Sequence, residues 1–147
     1  MLGKRIVLGI TGGIAAYKAA QICSDLVKAG ATVDVIMTKA ALEFIGPITL
    51  QNIANNKVHI DMFALPENYN VEHVSLAQGA DLILIAPATA NCIAKLACGL
   101  ADDLLSCTVL ASQAPVLIAP AMNTNMWTNP VTQENVEKLK ARGFHFV

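Results

Sequence analysis

The side chains best suited to chemistry lie in a short segment near the end of the sequence, where residues 119–127 read Ala-Pro-Ala-Met-Asn-Thr-Asn-Met-Trp. They follow the apolar run 115–118, which is typical of a buried strand. The amide of Asn123 and the thioethers of Met122 and Met126 therefore gather, with the single Trp of the chain, beyond the carboxyl end of one strand. Ligands of open α/β sheets bind at these carboxyl ends. We interpret the segment as a pocket wall with fixed hydrogen-bonding groups rather than as a plain turn.

A second candidate site follows the first apolar run, where Gly12, Gly13 and Ile14 open a helix. Glycine permits close approach, and the N–H groups of a helix N-terminus favour a phosphate or another anion. The Gly-x-Gly-x-x-Gly pattern is absent, and Thr38 stands after the second strand where dinucleotide-binding proteins have an acidic residue that binds ribose. The pattern therefore favours a mononucleotide over NAD, while a purely structural turn at these glycines stays open.

A third segment, 86–91, ends the most apolar strand of the chain and reads Ala-Pro-Ala-Thr-Ala-Asn. Small residues such as Pro87 and Ala88 let a flat ring approach the backbone, and Thr89 and Asn91 offer hydrogen bonds near a helix N-terminus. Thr89 could equally serve only as an ordinary helix cap.

His73 is the candidate for proton transfer, because it follows an irregular stretch and directly precedes the central strand. A lone histidine is more often structural, and we interpret His59 and His145, which alternate with apolar residues, in that way. Asp102 and Asp103 lie in the first turn of a helix, where the helix dipole suffices to explain them. No group of His, Cys or carboxylate residues has metal-ligand spacing, so the sequence predicts no metal site.

The elements that would position these residues alternate between strands and helices, which predicts a parallel sheet. The expected fold is α/β, a three-layer doubly wound parallel sheet of the Rossmann or flavodoxin-like type, in one domain spanning 1–147. The predicted strands are 6–10, 32–37, 57–63, 81–86, 115–119 and 144–147. The predicted helices are 14–29, a short one from a Thr38 cap to about 46, 49–54 capped by Thr49, 72–78, 89–96, 102–111 and 130–142, with a loop at 66–70.

Composition narrows the function. A net charge of −1 and a pI near 6.3 give no electrostatic case for nucleic acid or a membrane surface. No apolar run approaches a membrane span. The hydrophobic content of 54% is high, so we expect buried subunit contacts in a homo-oligomer. The four Cys show no disulfide or metal spacing, and we expect a reduced, cytoplasmic protein.

Taken together, the segments at 11–18, at 86–91 with 101–105, and at 120–127 carry a resemblance to a known family. The chain resembles the homo-oligomeric flavin-containing cysteine decarboxylases over nearly all of its length. It is most similar to the branch that decarboxylates 4'-phospho-N-pantothenoylcysteine to 4'-phosphopantetheine in coenzyme A biosynthesis.

The resemblance implies FMN as cofactor and a small-molecule substrate whose cysteine is oxidised, loses CO2 and is then reduced again. It implies that His73 manages the proton at the oxidised carbon or sulfur and that Asn123 grips the substrate carboxylate, with Met122 and Met126 beside the substrate. The FMN site would be lined by Gly12, Gly13, Ile14, Thr38, Pro87, Ala88, Thr89, Asn91 and Ala121. It would be built across a subunit interface of a trimer, which some members assemble into a dodecamer.

The family's decarboxylases also carry a flap with a catalytic Cys in an Ala-Cys-Gly context, beyond the strand at which this sequence stops. We therefore expect a fragment, with a shortened paralogue as the alternative, without the flap and without a synthetase domain, able to perform the oxidative half of the reaction. Three alternatives stay open. They are a peptidyl-cysteine decarboxylase of the same family, a non-catalytic FMN-binding regulatory subunit, which retention of His73 and Asn123 disfavours, and a flavodoxin-like electron carrier.

Overall fold

A six-stranded parallel sheet forms the centre of the molecule. The computed structural model describes residues 1–63 and 71–147. The strands lie in the order β3-β2-β1-β4-β5-β6, all parallel. Their bounds are β1 (Arg5–Ile10), β2 (Thr32–Met37), β3 (Val58–His59), β4 (Leu82–Ala88), β5 (Val116–Pro120) and β6 (His145–Phe146). This is the strand order of doubly wound nucleotide-binding folds, and the order reverses between β1 and β4, so the predicted fold class is confirmed.

Seven α-helices occur among the described residues and cover both faces of the sheet. They are α1 (Lys18–Lys28), α2 (Pro47–Ala54), α3 (Glu72–Gly79), α4 (Ala90–Cys98), α5 (Leu104–Ala111), α6 (Thr124–Thr128) and α7 (Pro130–Ala141). Two short 3₁₀ helices, Ile14–Tyr17 and Ala40–Glu43, follow β1 and β2. None of the helices in 1–63 and 71–147 has the length and apolarity that crossing a bilayer requires.

Two apolar cores lie on opposite faces of the sheet, as a three-layer fold requires. One contains Cys23 of α1 and Leu50 of α2, packed on Leu8 and Val35. The other contains buried residues of α3, α4, α5 and α7, packed on alternate residues of the same strands such as Val7. The continuous burial of β1 from Ile6 to Ile10 is what two covered faces produce.

Local sequence explains several helix ends. Gly99 adopts a left-handed conformation with φ of 73° and ends α4. Asn129 caps α7, since its Oδ1 accepts a hydrogen bond of 2.9 Å from the N–H of Val131, and Pro130 occupies the first helical position.

Three predictions about elements were wrong, and one helix was missed. Thr49 does not cap α2, because that helix begins at Pro47 after Gly46 and proline fits the first turn. The predicted strand 57–63 pairs only over Val58–His59. The predicted helix 14–29 begins with a 3₁₀ turn, and α6 was not predicted. The predicted loop 66–70 lies outside the described residues.

Candidate active site

The carboxyl ends of β1, β2 and β4 open on one cavity of about 550 Å³, a volume within the range of small-molecule sites. The cavity lies where the strand order reverses, which is the usual ligand position in this architecture. Five residues that the sequence predicted for the site line it, namely Gly12, Thr38, Thr89, Asn91 and Met126. The tertiary structure therefore brings together side chains that lie up to 114 positions apart in the sequence, from 12 to 126.

Thr11 ties the two loops that flank this reversal. Its Oγ1 donates a 2.7 Å hydrogen bond to the carbonyl of Pro87 and accepts a 3.0 Å bond from the N–H of Thr89. Its own N–H also donates to the Pro87 carbonyl, at 3.2 Å. Thr11 is buried. The turn after β1 and the turn after β4 thus form one hydrogen-bonded floor, and sequence reasoning did not single out Thr11 for this role.

Close packing requires glycine at only one of the two glycine positions in the first turn. A Cβ at Gly12 would lie 2.5 Å from the Cβ of Ala40, so the turns after β1 and β2 touch at this point. Gly13 is extended, with φ of −161°, and a Cβ there would have only the Thr89 side chain nearby, at 3.8 Å. Gly12 lines the cavity, whereas Gly13 and Ile14 do not. No hydrogen bond from the N–H groups of these three residues occurs within the described ranges, so they are available to an anion.

Thr89 is the N-cap residue of α4. Its Oγ1 accepts a 3.1 Å hydrogen bond from the N–H of Cys92. The capping alternative that the sequence left open is therefore realised, and the same residue lines the cavity. Cys92 lies in the wall as well, and burial together with the nearby Asp103 carboxylate raises the pKa of its thiol to about 12. That thiol is protonated at neutral pH and is no nucleophile.

A charged cluster that sequence reasoning did not assign to the site forms another part of the wall. Lys95 Nζ lies 2.8 Å from Asp102 Oδ1 and 3.0 Å from Asp103 Oδ2, and all three residues line the cavity. Hydrogen bonding to Asp102 is the largest cause that raises the pKa of Lys95. Burial would raise the pKa of Asp103, but hydrogen bonds from Ser106 and Lys95 outweigh it, so that pKa is lowered. Helix α4 ends at Cys98, before the two aspartates, and the turn between α4 and α5 brings them to Lys95.

The close approach of α5 to the sheet places this cluster over the site. A Cβ at Gly9 in β1 would lie 2.5 Å from Leu105 Cδ1, so the first turn of α5 packs directly on the centre of β1. Leu104, Leu105 and Ser106 consequently line the same cavity.

The segment at 119–127 contributes to two cavities. Ala121 and Met122 line a second, smaller cavity of about 280 Å³, with Pro120, Trp127 and Val147. Met126 lies on the first cavity. The β4 and β5 segments meet where the Ala121 N–H donates a 3.0 Å hydrogen bond to the Ala88 carbonyl. The two proline-containing motifs are thus neighbours at the carboxyl ends of β4 and β5.

Asn123 is exposed and caps α6. Its Oδ1 accepts hydrogen bonds from the N–H groups of Asn125, at 2.8 Å, and Met126, at 3.3 Å. Within the described residues its Nδ2 makes no hydrogen bond, so this group is the donor that Asn123 can offer to a ligand. The cap orients the side chain, because the oxygen is held by two backbone groups.

His73 lies in the first turn of α3 and is partly buried. Like Pro87 and Ala88, which are buried beneath the site, it does not line either cavity among the described residues. Helix α3 packs against α5, whose first turn does line the larger cavity. The catalytic role of His73 stays a prediction.

Comparisons with known proteins agree with this geometry. A family model described as "Flavoprotein" matches residues 1–147. The chain is 49% identical over 144 residues to the coenzyme A biosynthesis bifunctional protein CoaBC of Vibrio cholerae, covering 98% of this chain and 36% of that protein. It thus spans about a third of the length of the curated relatives it matches.

Two solved structures are similar throughout. One is the FMN-dependent cysteine decarboxylase SpaF, with a TM-score of 0.92 and 33% identity, covering 99% of this chain and 83% of that one. The other is a cysteine-to-serine mutant of PPC decarboxylase complexed with pantothenoylaminoethenethiol, with a TM-score of 0.87 and 32% identity, covering 98% and 81% of the two chains.

Proposed function

Because the chain belongs to the flavoprotein family, we propose that it binds FMN in the larger cavity and decarboxylates 4'-phospho-N-pantothenoylcysteine. The observation that carries the proposal is the convergence of Gly12, Thr38, Thr89 and Asn91 on one cavity at the reversal of the strand order. The similarity to CoaBC sequences exceeds the similarity to SpaF, which favours the pantothenoyl substrate over a peptide.

The residues present fit FMN. The N–H group of Gly12 and the hydroxyl of Thr38 line the cavity and suit a phosphate, because both can donate hydrogen bonds, and the N–H groups of Gly13 and Ile14 follow directly in the same turn. The apolar lining from Met37 and Leu105 suits a flat ring system. When bound, FMN would supply a two-electron acceptor and donor for the cysteine unit.

The remaining work falls to the side chains of this chain. The free Nδ2 of Asn123 would donate a hydrogen bond to the substrate carboxylate and hold it in a defined orientation. His73 would hold the proton that leaves the cysteine Cβ–SH unit as it is oxidised, since imidazole exchanges protons near neutral pH. Met122 and Met126 would pack on the pantothenoyl arm, a role that suits flexible thioethers.

We also propose that the active form is a homo-oligomer, a trimer or a dodecamer. Ile14 and Tyr17, in the 3₁₀ helix that follows the glycine turn, and Ile48, in α2, are 82%, 62% and 72% exposed. Large apolar side chains at such exposure are favourable when a second subunit covers them. The four cysteines are free in the structure, in keeping with a cytoplasmic site of action.

The test is to add FMN and substrate to the purified chain and to measure bound-flavin absorbance and CO2 release. CO2 release is the right readout, because it precedes the step for which the family resemblance implies a flap cysteine. We expect His73→Asn to bind FMN like the original chain and to lose CO2 release by at least about 10²-fold, as for a general acid–base residue. The exposed His145 provides the matched control, since His145→Asn should leave both quantities unchanged.

Three results would contradict the proposal. Absence of flavin binding would refute the cofactor. Flavin binding without CO2 release would favour the regulatory subunit. Release of CO2 from a Cys-terminated peptide but not from the phosphopantothenoyl substrate would favour the peptidyl-cysteine decarboxylase.

A further inference from the structure

A partly buried hydrogen bond between two side chains joins the edge strand β3 to the first turn of α3. The Nδ1 of His59 is hydrogen-bonded to Oε1 of Glu72, and each side chain is only 13% exposed. The two residues are separated by 13 positions in the sequence, and each belongs to a different element. Charge-assisted hydrogen bonds that are largely shielded from water are the stronger ones in proteins.

Helix α3 is held at its two ends by different means. Its second half is anchored by the buried side chains of Leu76 and Ala77 and by a 3.1 Å hydrogen bond from Ser112 Oγ to the Ala77 carbonyl. Its first half has no side-chain cap, because Val71 is the N-cap residue. Among the described residues, the Glu72–His59 pair is the only side-chain hydrogen bond to the first turn. The pair therefore ties this turn to the edge of the sheet.

The next residue after Glu72 is His73. The side chains of adjacent helix residues point about 100° apart around the helix axis. A contact that holds Glu72 in place therefore also holds the backbone of His73, and it leaves the His73 imidazole free to bind other groups. His59 in turn is fixed by the sheet, since it pairs with Ile36 of β2. The residues directly after His59, Ile60 to Phe63, line the larger cavity. The pair thus connects the cavity wall to the helix turn that carries His73.

We propose that His59 and Glu72 are positioning residues that hold His73 at the active site. The proposal rests on the proposed function, because His73 has a task only if the chain decarboxylates its substrate. Neither residue touches substrate or FMN in this scheme. The pair acts by restricting the first turn of α3, and a displacement of about 1 Å is enough to cost about 10²-fold in rate.

The experiment measures kcat and KM for CO2 release, FMN affinity and backbone hydrogen exchange on the FMN-loaded chain. We expect Glu72→Ala and His59→Ala each to lower kcat by about 10- to 100-fold, with FMN affinity and KM within about twofold. The double variant should lose no more than either single variant, because the two side chains act as one unit. His59→Asn should restore much of kcat, since its amide N–H can replace Nδ1–H. The control is His145→Asn, which alters an exposed histidine on the opposite edge strand.

Two further measurements separate positioning from general stability. Exchange of the Ser75 amide, which donates a hydrogen bond to the Val71 carbonyl, should accelerate by at least about tenfold in Glu72→Ala, while the amides of the last turn of α3 stay protected. Combined with His73→Asn, Glu72→Ala should cause no additional loss of rate. Unchanged kcat in both alanine variants, losses that follow weaker FMN binding, or an unchanged exchange pattern would each overturn the proposal. A wild-type chain that binds FMN and releases no CO2 would instead refute the proposed function, and the exchange data would then decide whether the pair holds α3.

Discussion

The start of α5 offers the sharpest test of how the site is held together. Asp103 caps this helix, since its Oδ1 accepts a 2.7 Å hydrogen bond from the N–H of Ser106, while its Oδ2 lies 3.0 Å from Lys95 Nζ. The Ser106 Oγ in turn accepts a 3.3 Å hydrogen bond from the N–H of Asp103, which completes a capping box. Replacing Asp103 therefore removes a helix cap and an ion pair at once.

The size of the effect follows from these two contacts. Loss of an N-cap costs about 1 kcal/mol, and loss of a partly exposed ion pair costs about 0.5 to 1 kcal/mol. We expect Asp103→Ala to lower the free energy of unfolding by about 1.5 to 2 kcal/mol, or the Tm by about 3 to 8 °C. Asp103→Asn keeps the capping oxygen and should lose only about 0.5 to 1 kcal/mol. The control is Asp102→Asn, which weakens the other ion pair of Lys95. With its side chain 63% exposed, Asp102 should contribute less than about 0.5 kcal/mol.

The dependence on pH has a definite sign. The pKa of Asp103 is lowered in the folded chain, because hydrogen bonds from Ser106 and Lys95 outweigh the opposing effect of burial. The contribution of its charge to stability is therefore fully present above the unfolded-state pKa, about 3.9, and is lost as the pH falls through the folded-state pKa. The difference between the original chain and Asp103→Asn should shrink accordingly in acid.

Urea unfolding of the FMN-free chain, followed by circular dichroism, measures these free energies. The reasoning would be refuted if Asp103→Asn were as unstable as Asp103→Ala, since the cap would then contribute nothing. It would also be refuted if Asp102→Asn cost as much as Asp103→Ala, or if the difference to Asp103→Asn were the same at pH 7 and in acid.

Three other predictions follow from the described contacts. Gly12→Ala should destabilise the chain by about 1 to 3 kcal/mol and weaken FMN binding, because the new Cβ would lie 2.5 Å from the Cβ of Ala40. Urea unfolding and flavin titration measure the two effects, and unchanged values would contradict the steric argument. Thiol labelling at pH 8 should modify the exposed Cys98 quickly and leave Cys92 unreacted until the chain unfolds, since burial raises the pKa of the Cys92 thiol to about 12. Fast labelling of Cys92 in the folded chain, identified by peptide mass, would contradict its burial in the wall of the larger cavity. Asp34→Ala should cost about 2 to 3 kcal/mol in urea unfolding, because the buried carboxylate accepts a 2.5 Å bond from a guanidinium; a loss below about 0.5 kcal/mol would mean that the pair contributes little.

The long elements could be predicted from the sequence because their signals are local. Apolar runs with no charge predicted β1, β4 and β5, since a strand covered on both faces has no polar side. Helix ends at Gly99 and Pro130 followed from the backbone conformations that glycine and proline favour. The start of α2 was missed because a threonine cap was preferred to a proline at the first helical position. Strand β3 was overestimated because pairing depends on β2, which periodicity does not reveal.

The candidate site, too, could be predicted only in part from the sequence. The residue types that suit FMN and a carboxylate were visible in the sequence as short motifs after strands. Their grouping was not, since Met126 and Met122 lie on different cavities although they are four positions apart. The Lys95 cluster was not predicted either, because it depends on the turn between α4 and α5, and its place over the site depends on the packing of α5 against Gly9.

The amino-acid sequence by itself determined the parallel α/β architecture, the positions of the chemically useful side chains at strand ends, and the family resemblance. These depend on neighbouring residues, on hydrophobic periodicity and on the conformations of glycine and proline. Only the tertiary structure decided which strand ends meet, that Thr11 joins two turns, and that His59 contacts Glu72 beside the predicted catalytic histidine. Such contacts join residues that are far apart in the chain, and they depend on the order of the strands and on side-chain packing, which no local pattern encodes.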